Sequence, residues 1–425
     1  MEKATKFSGW SVMVGCFIIM LTVQGGIQIF AVTMPSIMKA TGTTLTQISL
    51  ISTIATAVAF SCNMIAGPLM KKIGLKWTLF IGLVCCSGHM LVYAYSSNLF
   101  LLYVAAAVAG VAIALGTIAP CSVLITNWFY DKRATTMSVV IAGSMFGGAI
   151  LMPLAGLVMK SYDYKTTYLL LSIFIAILAG LSIIFLISES PEKKGQKPYG
   201  YEKMPTSSNA VSNAPLQEEG VTATEARKTA SFWLIMVGVL LIGLSTNVEN
   251  FLPAFWQKNG LDVATASSYM GIYAFIAAVA ALVLGRITDK IGGKAYVFIT
   301  SCLFIIGTFV ILKVGVSGMV LMFVGIIVFA VGGKKVSTLS PPLITAESFG
   351  RKDYKSLIGY FAGMLQLGIC LSNPVIGSLY QYTGNYTLAF SAMMVLGAIA
   401  LVLIQVGLRI APYKAKPMVE TAKAA

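Results

Sequence analysis

Long apolar runs separated by short polar breaks dominate the chain. The runs fall at 9–34, 45–69, 77–95, 99–125, 135–159 and 167–187, then at 231–256, 265–285, 295–313, 317–345, 356–380 and 386–409. About 20 residues of helix, at roughly 1.5 Å per residue, cross the ~30 Å hydrocarbon core of a bilayer. Hydrocarbon offers no partner for a free backbone N–H or C=O, so an isolated apolar run of this length is expected to be helical. The pattern predicts an all-α membrane protein of twelve transmembrane helices, numbered here as spans 1–12. Residues 189–229 form the one long polar stretch, with Pro191, Pro198, Pro205 and Pro215 and a Ser/Asn-rich middle. It reads as a mobile linker between a first six-helix half, 1–188, and a second, 230–425, which ends in a short tail. Thr222 and Glu225 have the spacing of a capping box for a short helix entering span 7.

The halves repeat one another. The stretch from Gly67 through Gly74 to Lys76 lies 218 residues before Gly285 through Gly292 to Lys294. Met152-Pro153-x-x-Gly156 matches Asn373-Pro374-x-x-Gly377 at an offset of 221, and Pro35 and Pro253, each placed at the end of its span, are again 218 apart. Duplicated halves place a substrate site at the midplane between them and suit alternating access.

Composition agrees. The chain is 57% hydrophobic and only 11% charged, against about a quarter charged in soluble domains. The net charge of +15 does not come with an aromatic-interleaved basic patch, so no nucleic-acid partner is expected. Placing both termini and every even-to-odd loop on one side collects 23 of the 30 Lys and Arg there. By the positive-inside rule that side is the cytoplasm, for a multi-pass protein of the plasma (inner) membrane. Seven cysteines in apolar runs, without a C-x-x-C pair, read as small buried hydrophobes rather than metal ligands. His89, the single histidine, reads as a helix–helix hydrogen-bonding contact. No metal, cofactor or catalytic residue is expected, and the chain reads as a monomer in the lipid bilayer rather than an enzyme.

The candidate chemistry lies inside the spans. Lys334 and Lys335 fall near the middle of span 10, where a charge costs at least about 2.5–3.5 kcal/mol unless it faces water or a partner. On a helical wheel Lys334 shares a face with Ser337 and Thr338, and Lys335 sits about 100° round. Span 1 offers Gln24 and Gln28, one turn apart. Span 7 offers Thr246, Asn247, Glu249 and Asn250, with Thr246, Glu249, Asn250 and Pro253 on one α-helical face. Burial raises a carboxyl pKa and a nearby ammonium lowers it, so Glu249 is a candidate proton-coupling group.

The glycine-basic stretches resemble the major facilitator superfamily, whose signature G-x-x-x-D-[RK]-x-G-[RK]-[RK] is matched at Gly285, Asp289, Lys290, Gly292 and Lys294. In the first half Lys71 takes the aspartate position. Asn127 through Asp131, Lys132 and Arg133, with the glycine-rich Gly143–Gly148 stretch, is similar to the oxalate:formate antiporter and monocarboxylate transporter branch. The resemblance implies that spans 1, 4, 7 and 10 line a central cavity. It implies a cytoplasmic gate at Gly285, Arg286, Asp289, Lys290 and Gly292, joined by Asp131 and Arg133. Relatives in that branch carry a substrate arginine in span 8, and the oxalate exchangers also a lysine in span 11; here neither 264–284 nor 357–380 holds a Lys or Arg, so the role would pass to Lys334. The expected activity is secondary transport of a small organic anion, a monocarboxylate, by symport with protons or antiport against a counter-anion. An exporter of larger amphipathic compounds is the alternative, and a non-transporting membrane receptor the alternative of another class.

Overall fold

A computed structural model describes residues 7–413 apart from 97, 131, 204–219, 315–318 and 351. The side chains of 64, 133–134, 203, 281–282, 284–290, 314, 319–320, 334–343, 346 and 354–356 also lie outside the description. All twelve predicted spans are helical. Spans 1–6 are Gly9–Thr41, Leu45–Ile73, Leu75–Tyr95, Leu99–Trp128, Arg133–Ser161 and Tyr164–Leu186. Spans 7–12 are Ala230–Lys258, Val263–Ile291, Gly293–Val314, Met319–Phe349, Tyr354–Thr383 and Tyr386–Arg409.

Several spans begin with a side chain that accepts from otherwise unpaired N–H groups of the first turn. Thr44 and Gln47 form a reciprocal capping box on span 2, and Asp262 accepts from Ala264 N and Thr265 N on span 8. Asp163 caps span 6 through Thr166 N at 2.8 Å, and Asn385 caps span 12 through Thr387 N at 2.9 Å. The caps therefore repeat between the halves together with the spans they start.

Two expectations need correction. Pro35 and Pro253 do not end their spans: Pro35 lies inside the helix Phe30–Thr41, and Pro253 lies in the first turn of Leu252–Lys258. Span 7 is interrupted just upstream of Pro253, which falls in the first turn of a new helical segment, where a missing N–H is tolerated; Pro35 is the sixth residue of its segment, so Ala31 O forgoes its usual intrahelical donor. Gly42 (φ +66) and Gly260 (φ +99) are the positive-φ residues that follow the true ends. The basic stretch at Gly67–Lys72 is likewise the last turns of span 2 rather than a loop. A single residue, Gly74, separates spans 2 and 3, with φ +86; Gly292 does the same between spans 8 and 9, with φ +80. Only glycine takes such angles without strain.

The described residues gather into two compact units, Met1–Ala210 with Gly260–Ala278, and Val211–Asn259 with Val279–Ala425. In the first, spans 1 and 5 cross where Gly25 meets Gly147. A Cβ on Gly25 would lie 2.8 Å from Gly147 C, and one on Gly147 only 2.1 Å from Leu21 O. In the second, spans 7 and 11 cross in the same way. A Cβ on Gly243 would lie 2.3 Å from Leu365 O, and one on Gly368 2.2 Å from Leu240 O. These glycine pairs repeat at the offsets of the sequence motifs and let backbones approach without side chains between them.

Both ends of the linker are ordered, where the sequence suggested a mobile segment. Tyr199 N donates to Trp128 O at 2.9 Å and Tyr130 N to Tyr199 O at 3.0 Å, while Gln196 Oε1 accepts from Ser8 N at 2.9 Å. Phe7, Trp10, Phe129 and Tyr199 pack their rings together around these bonds. At the far end Val221 N donates to Phe349 O at 2.9 Å, and the Thr222–Glu225 capping box forms as the spacing predicts. Aromatic burial and edge pairing outweigh the polar composition there.

The crossings make a direct prediction. Gly147→Ala and Gly368→Ala should lower the thermal midpoint of the detergent-purified protein, because the added methyl meets backbone. Gly363→Ala should leave it unchanged or raise it, since no heavy atom lies within 4 Å and alanine is the better helix former by roughly 1 kcal/mol. Equal effects at all three positions would contradict the crossing geometry.

Candidate functional site

Spans 1, 4 and 7 are each interrupted part-way along. Span 1 runs through a π turn at Met20–Gln24 and breaks again at Ile29, whose N–H bonds back to Gly26 O at 3.3 Å. The Thr22 hydroxyl donates to Ile18 O at 2.7 Å across the π turn. Span 4 breaks at Thr117 (φ −130, ψ −123), ahead of Pro120, which has no N–H to offer the Gly116 carbonyl. In membrane carriers, interrupted helices recur where substrates and coupling ions bind.

Gln24 and Gln28 are both half-buried in span 1. Gln28 Nε2 donates to Ser144 O at 3.1 Å, and Gly148 leaves room for its amide, since a Cβ there would lie 2.4 Å from Gln28 Oε1. The first unit thus holds Gln28 against span 5.

Span 7 has the most developed polar structure. Pro253 cannot donate to Glu249 O, and Leu252 N–H takes that carbonyl instead, three residues on rather than four. The turn tightens, and Asn247–Phe251 is a 3₁₀ helix. With three residues per turn, side chains at i and i+3 eclipse. Asn247 and Asn250 therefore stack, and Asn250 Nδ2 donates to Asn247 Oδ1 at 3.0 Å. Asn247 Nδ2 in turn donates to Asn373 Oδ1 on span 11 at 2.9 Å. The α-helical face expected from the sequence, joining Thr246, Glu249, Asn250 and Pro253, does not exist. Thr246 and Glu249 form one line and Asn247 and Asn250 another, about 120° apart. Glu249 is buried at 7% exposure, while Asn247 and Asn250 are half-buried.

Asn373 belongs to this amide cluster, although the sequence offered no candidate there. It is 2% exposed and stands directly before Pro374. The asymmetry of the repeat was its one signal: Asn373-Pro374 occupies the place of Met152-Pro153, an amide where the first half has a thioether.

The helix of span 10 is continuous from Met319 to Phe349, and Lys334 stands fifteen residues from each end. The side chains of Lys334, Lys335, Ser337 and Thr338 lie outside the described residues, as do those of Arg286, Asp289, Lys290 and Arg133. Asp131 lies outside them altogether, and the Gly285 backbone is in the last turns of span 8. His89 is buried, but its Nδ1 lies 3.4 Å from Cys85 O of its own helix, and its ring meets Tyr93 edge-on at 5.5 Å. The expected interhelical bond is thus replaced by a bond within span 3. No group of three or more potential metal ligands occurs among the described residues.

The family model described as Major Facilitator Superfamily matches residues 16–333 and 245–423, two overlapping stretches that together cover most of the chain. The chain belongs to the Major Facilitator Superfamily. It is thus a multi-pass membrane transporter by family, not an enzyme. It is 24% identical over 398 residues to monocarboxylate transporter 2 of Mus musculus, covering 90% of this chain and 80% of that protein. It is 20% identical over 343 residues to the aspyridones efflux protein apdF of Emericella nidulans, covering 80% of this chain and 65% of that protein. Among solved structures it matches a bacterial homolog of the human lysosomal transporter Spinster (TM-score 0.68, 13% identity, 96% of this chain and 97% of that one). It also matches a point mutant of the nucleoside transporter NupG (TM-score 0.69, 14% identity, 94% and 99%). The two superpositions show the shared fold.

Around the superfamily motif, each unit uses a carboxylate that the sequence reading passed over. Glu189 Oε1 accepts from Lys76 N at 3.1 Å, beside Gly74 at the start of span 3. Glu347 Oε1 accepts from Gly293 N, beside Gly292 at the start of span 9. A carboxylate at a helix N-terminus meets both free N–H groups and the positive end of the helix dipole. Glu189 also pairs with Lys193. That ammonium, together with the backbone N–H groups of Lys76 and Leu75, outweighs desolvation and holds the Glu189 carboxyl below the usual carboxylate range.

A depressed folded-state pKa contributes stability above the unfolded pKa, and that contribution is lost as pH falls through the folded value. Glu189→Gln should therefore lower the thermal midpoint at pH 7, and the gap from the parent should close as pH falls below about 4. A gap independent of pH would show that Glu189 acts by shape rather than by charge.

Proposed function

We propose that this transporter carries a small organic anion, a monocarboxylate, by alternating access, coupled to protons or to counter-exchange. The observation that carries the reading is a cation position at the centre of span 10 in a chain whose relatives, over 80–90% of its length, include monocarboxylate transporters. Gly332 is pressed on span 9, where a Cβ would lie 2.4 Å from Phe304 N. At about 100° per residue Lys334 stands roughly 200° round the helix from that contact, whereas Lys335 returns to within about 60° of it. Lys334 is accordingly the substrate cation, with Ser337 and Thr338 on its face, and Lys335 has a supporting role. Gln24, Gln28, Asn247 and Asn250 supply neutral hydrogen bonds.

Glu249 is the proton-coupling group: a buried carboxylate in the interrupted, 3₁₀ part of span 7. Arg286, Asp289 and Lys290, with Gly285, Gly292, Asp131 and Arg133, form the cytoplasmic gate. The 23 of 30 basic residues gathered on the side of the termini support an orientation with both termini in the cytoplasm of a plasma or inner membrane. An exporter of larger amphipathic compounds is the second reading, favoured by the relative that is an efflux protein.

Two substitutions test the assignment in reconstituted protein. A charge-assisted hydrogen bond contributes about 1.5–3 kcal/mol, so Lys334→Ala should weaken monocarboxylate affinity by roughly one to two decades. Lys334→Arg should restore it only in part, because a planar fork replaces a compact ammonium. Affinity within threefold of the parent in a well-folded Lys334→Ala protein would turn the account toward the exporter. Glu249→Gln should abolish uptake driven by a proton gradient while sparing substrate-for-substrate exchange. Undiminished gradient-driven uptake would remove Glu249 from the mechanism.

A further inference from the structure

The amides of span 7 and span 11 point one way. Asn250 Nδ2 donates to Asn247 Oδ1, and Asn247 Nδ2 donates to Asn373 Oδ1. Each side-chain amide thus donates from its nitrogen to the oxygen of the next, except at the last member. Asn373 is only 2% exposed, and among the described residues no acceptor stands against its NH₂ group, which is not itself one of the fully enclosed unpartnered atoms. In a chain of aligned hydrogen bonds each amide polarises the next, so the terminal N–H is a stronger donor than an isolated asparagine would supply. Beside it the Ser372 hydroxyl is fully buried and also lacks a partner among the described residues.

We propose that Asn373 Nδ2 is a substrate contact, the donor that receives one carboxylate oxygen of the transported anion, and that Asn247 and Asn250 act through it as positioning residues. The inference rests on the monocarboxylate reading and adds to it a second recognition element, neutral and on span 11. It also gives the 3₁₀ turn a function, since the eclipsed i, i+3 spacing stacks Asn250 directly behind Asn247. An α-helical turn would offset the two amides by about 60° and align them less well. The chemistry selects an oxygen acceptor bearing negative charge. A ligand offering only a cation or an apolar face gains nothing from this end of the chain.

The experiment uses the full-length protein in proteoliposomes, with labelled pyruvate as the probe and thermal midpoints measured for each variant. Asn373→Asp is the sharpest change: it keeps an oxygen for Asn247 Nδ2 and replaces only the free NH₂, and it should abolish pyruvate binding. Asn373→Ser, a smaller change, should weaken binding about tenfold, the equivalent of roughly 1.4 kcal/mol. Asn250→Ala should weaken it about threefold in the parent and have no further effect in the Asn373→Ser background, because its influence passes through Asn373. A merely structural role for Asn250 would give the same loss in both backgrounds. If the parent binds pyruvate and folded Asn373→Asp and Asn373→Ser proteins bind within twofold of it, the contact is wrong while the monocarboxylate reading stands. If the parent binds neither pyruvate nor acetate, both fall.

Discussion

A free backbone group in hydrocarbon costs several kcal/mol, and that cost governs where this chain leaves the α-helix. Each departure has a local substitute. At the π turn of span 1, the Thr22 hydroxyl donates to the Ile18 carbonyl. In span 7, Pro253 denies Glu249 its usual partner and Leu252 supplies another, so the turn tightens instead of fraying. Because the repair is a 3₁₀ turn, it also sets side-chain register. Asn247 and Asn250 stack, reach Asn373 and form a directed line of amides. A backbone requirement thus arranges the polar groups of the second unit.

Close packing makes those departures tolerable. Gly25 with Gly147 and Gly243 with Gly368 bring span 1 onto span 5 and span 7 onto span 11 at backbone distance. The interrupted spans are therefore held by continuous neighbours. The Gln28 amide bonds to the Ser144 carbonyl in the space left by Gly148, so the same crossing that secures span 1 also fixes one of its polar side chains.

Much of this was legible in the sequence, and the failures share a cause. The twelve spans followed from run length alone, because few other structures satisfy apolar backbone in lipid. The capping box at Thr222 and Glu225 formed as its spacing implied. The prolines were misread because a proline marks a missing donor, and local spacing does not say whether the chain ends or tightens there. The face assigned to Glu249 and Asn250 failed because it assumed 3.6 residues per turn throughout. Asn373 was overlooked as part of a helix-bending motif, and Glu189 and Glu347 because a carboxylate capping a distant helix leaves no periodic trace. The linker ends were ordered by aromatic residues and backbone pairing that composition averages away. Lys334, by contrast, stood out from cost alone, a charge at the middle of a 31-residue helix.

The central claim is that the protein exchanges a monocarboxylate across the bilayer through one alternating site. Counterflow tests it most directly. Proteoliposomes loaded with unlabelled pyruvate and diluted into a trace of labelled pyruvate, with no ion gradient, should accumulate label transiently above its equilibrium level. Label rising only to equilibrium, at the rate of protein-free vesicles, would contradict the account.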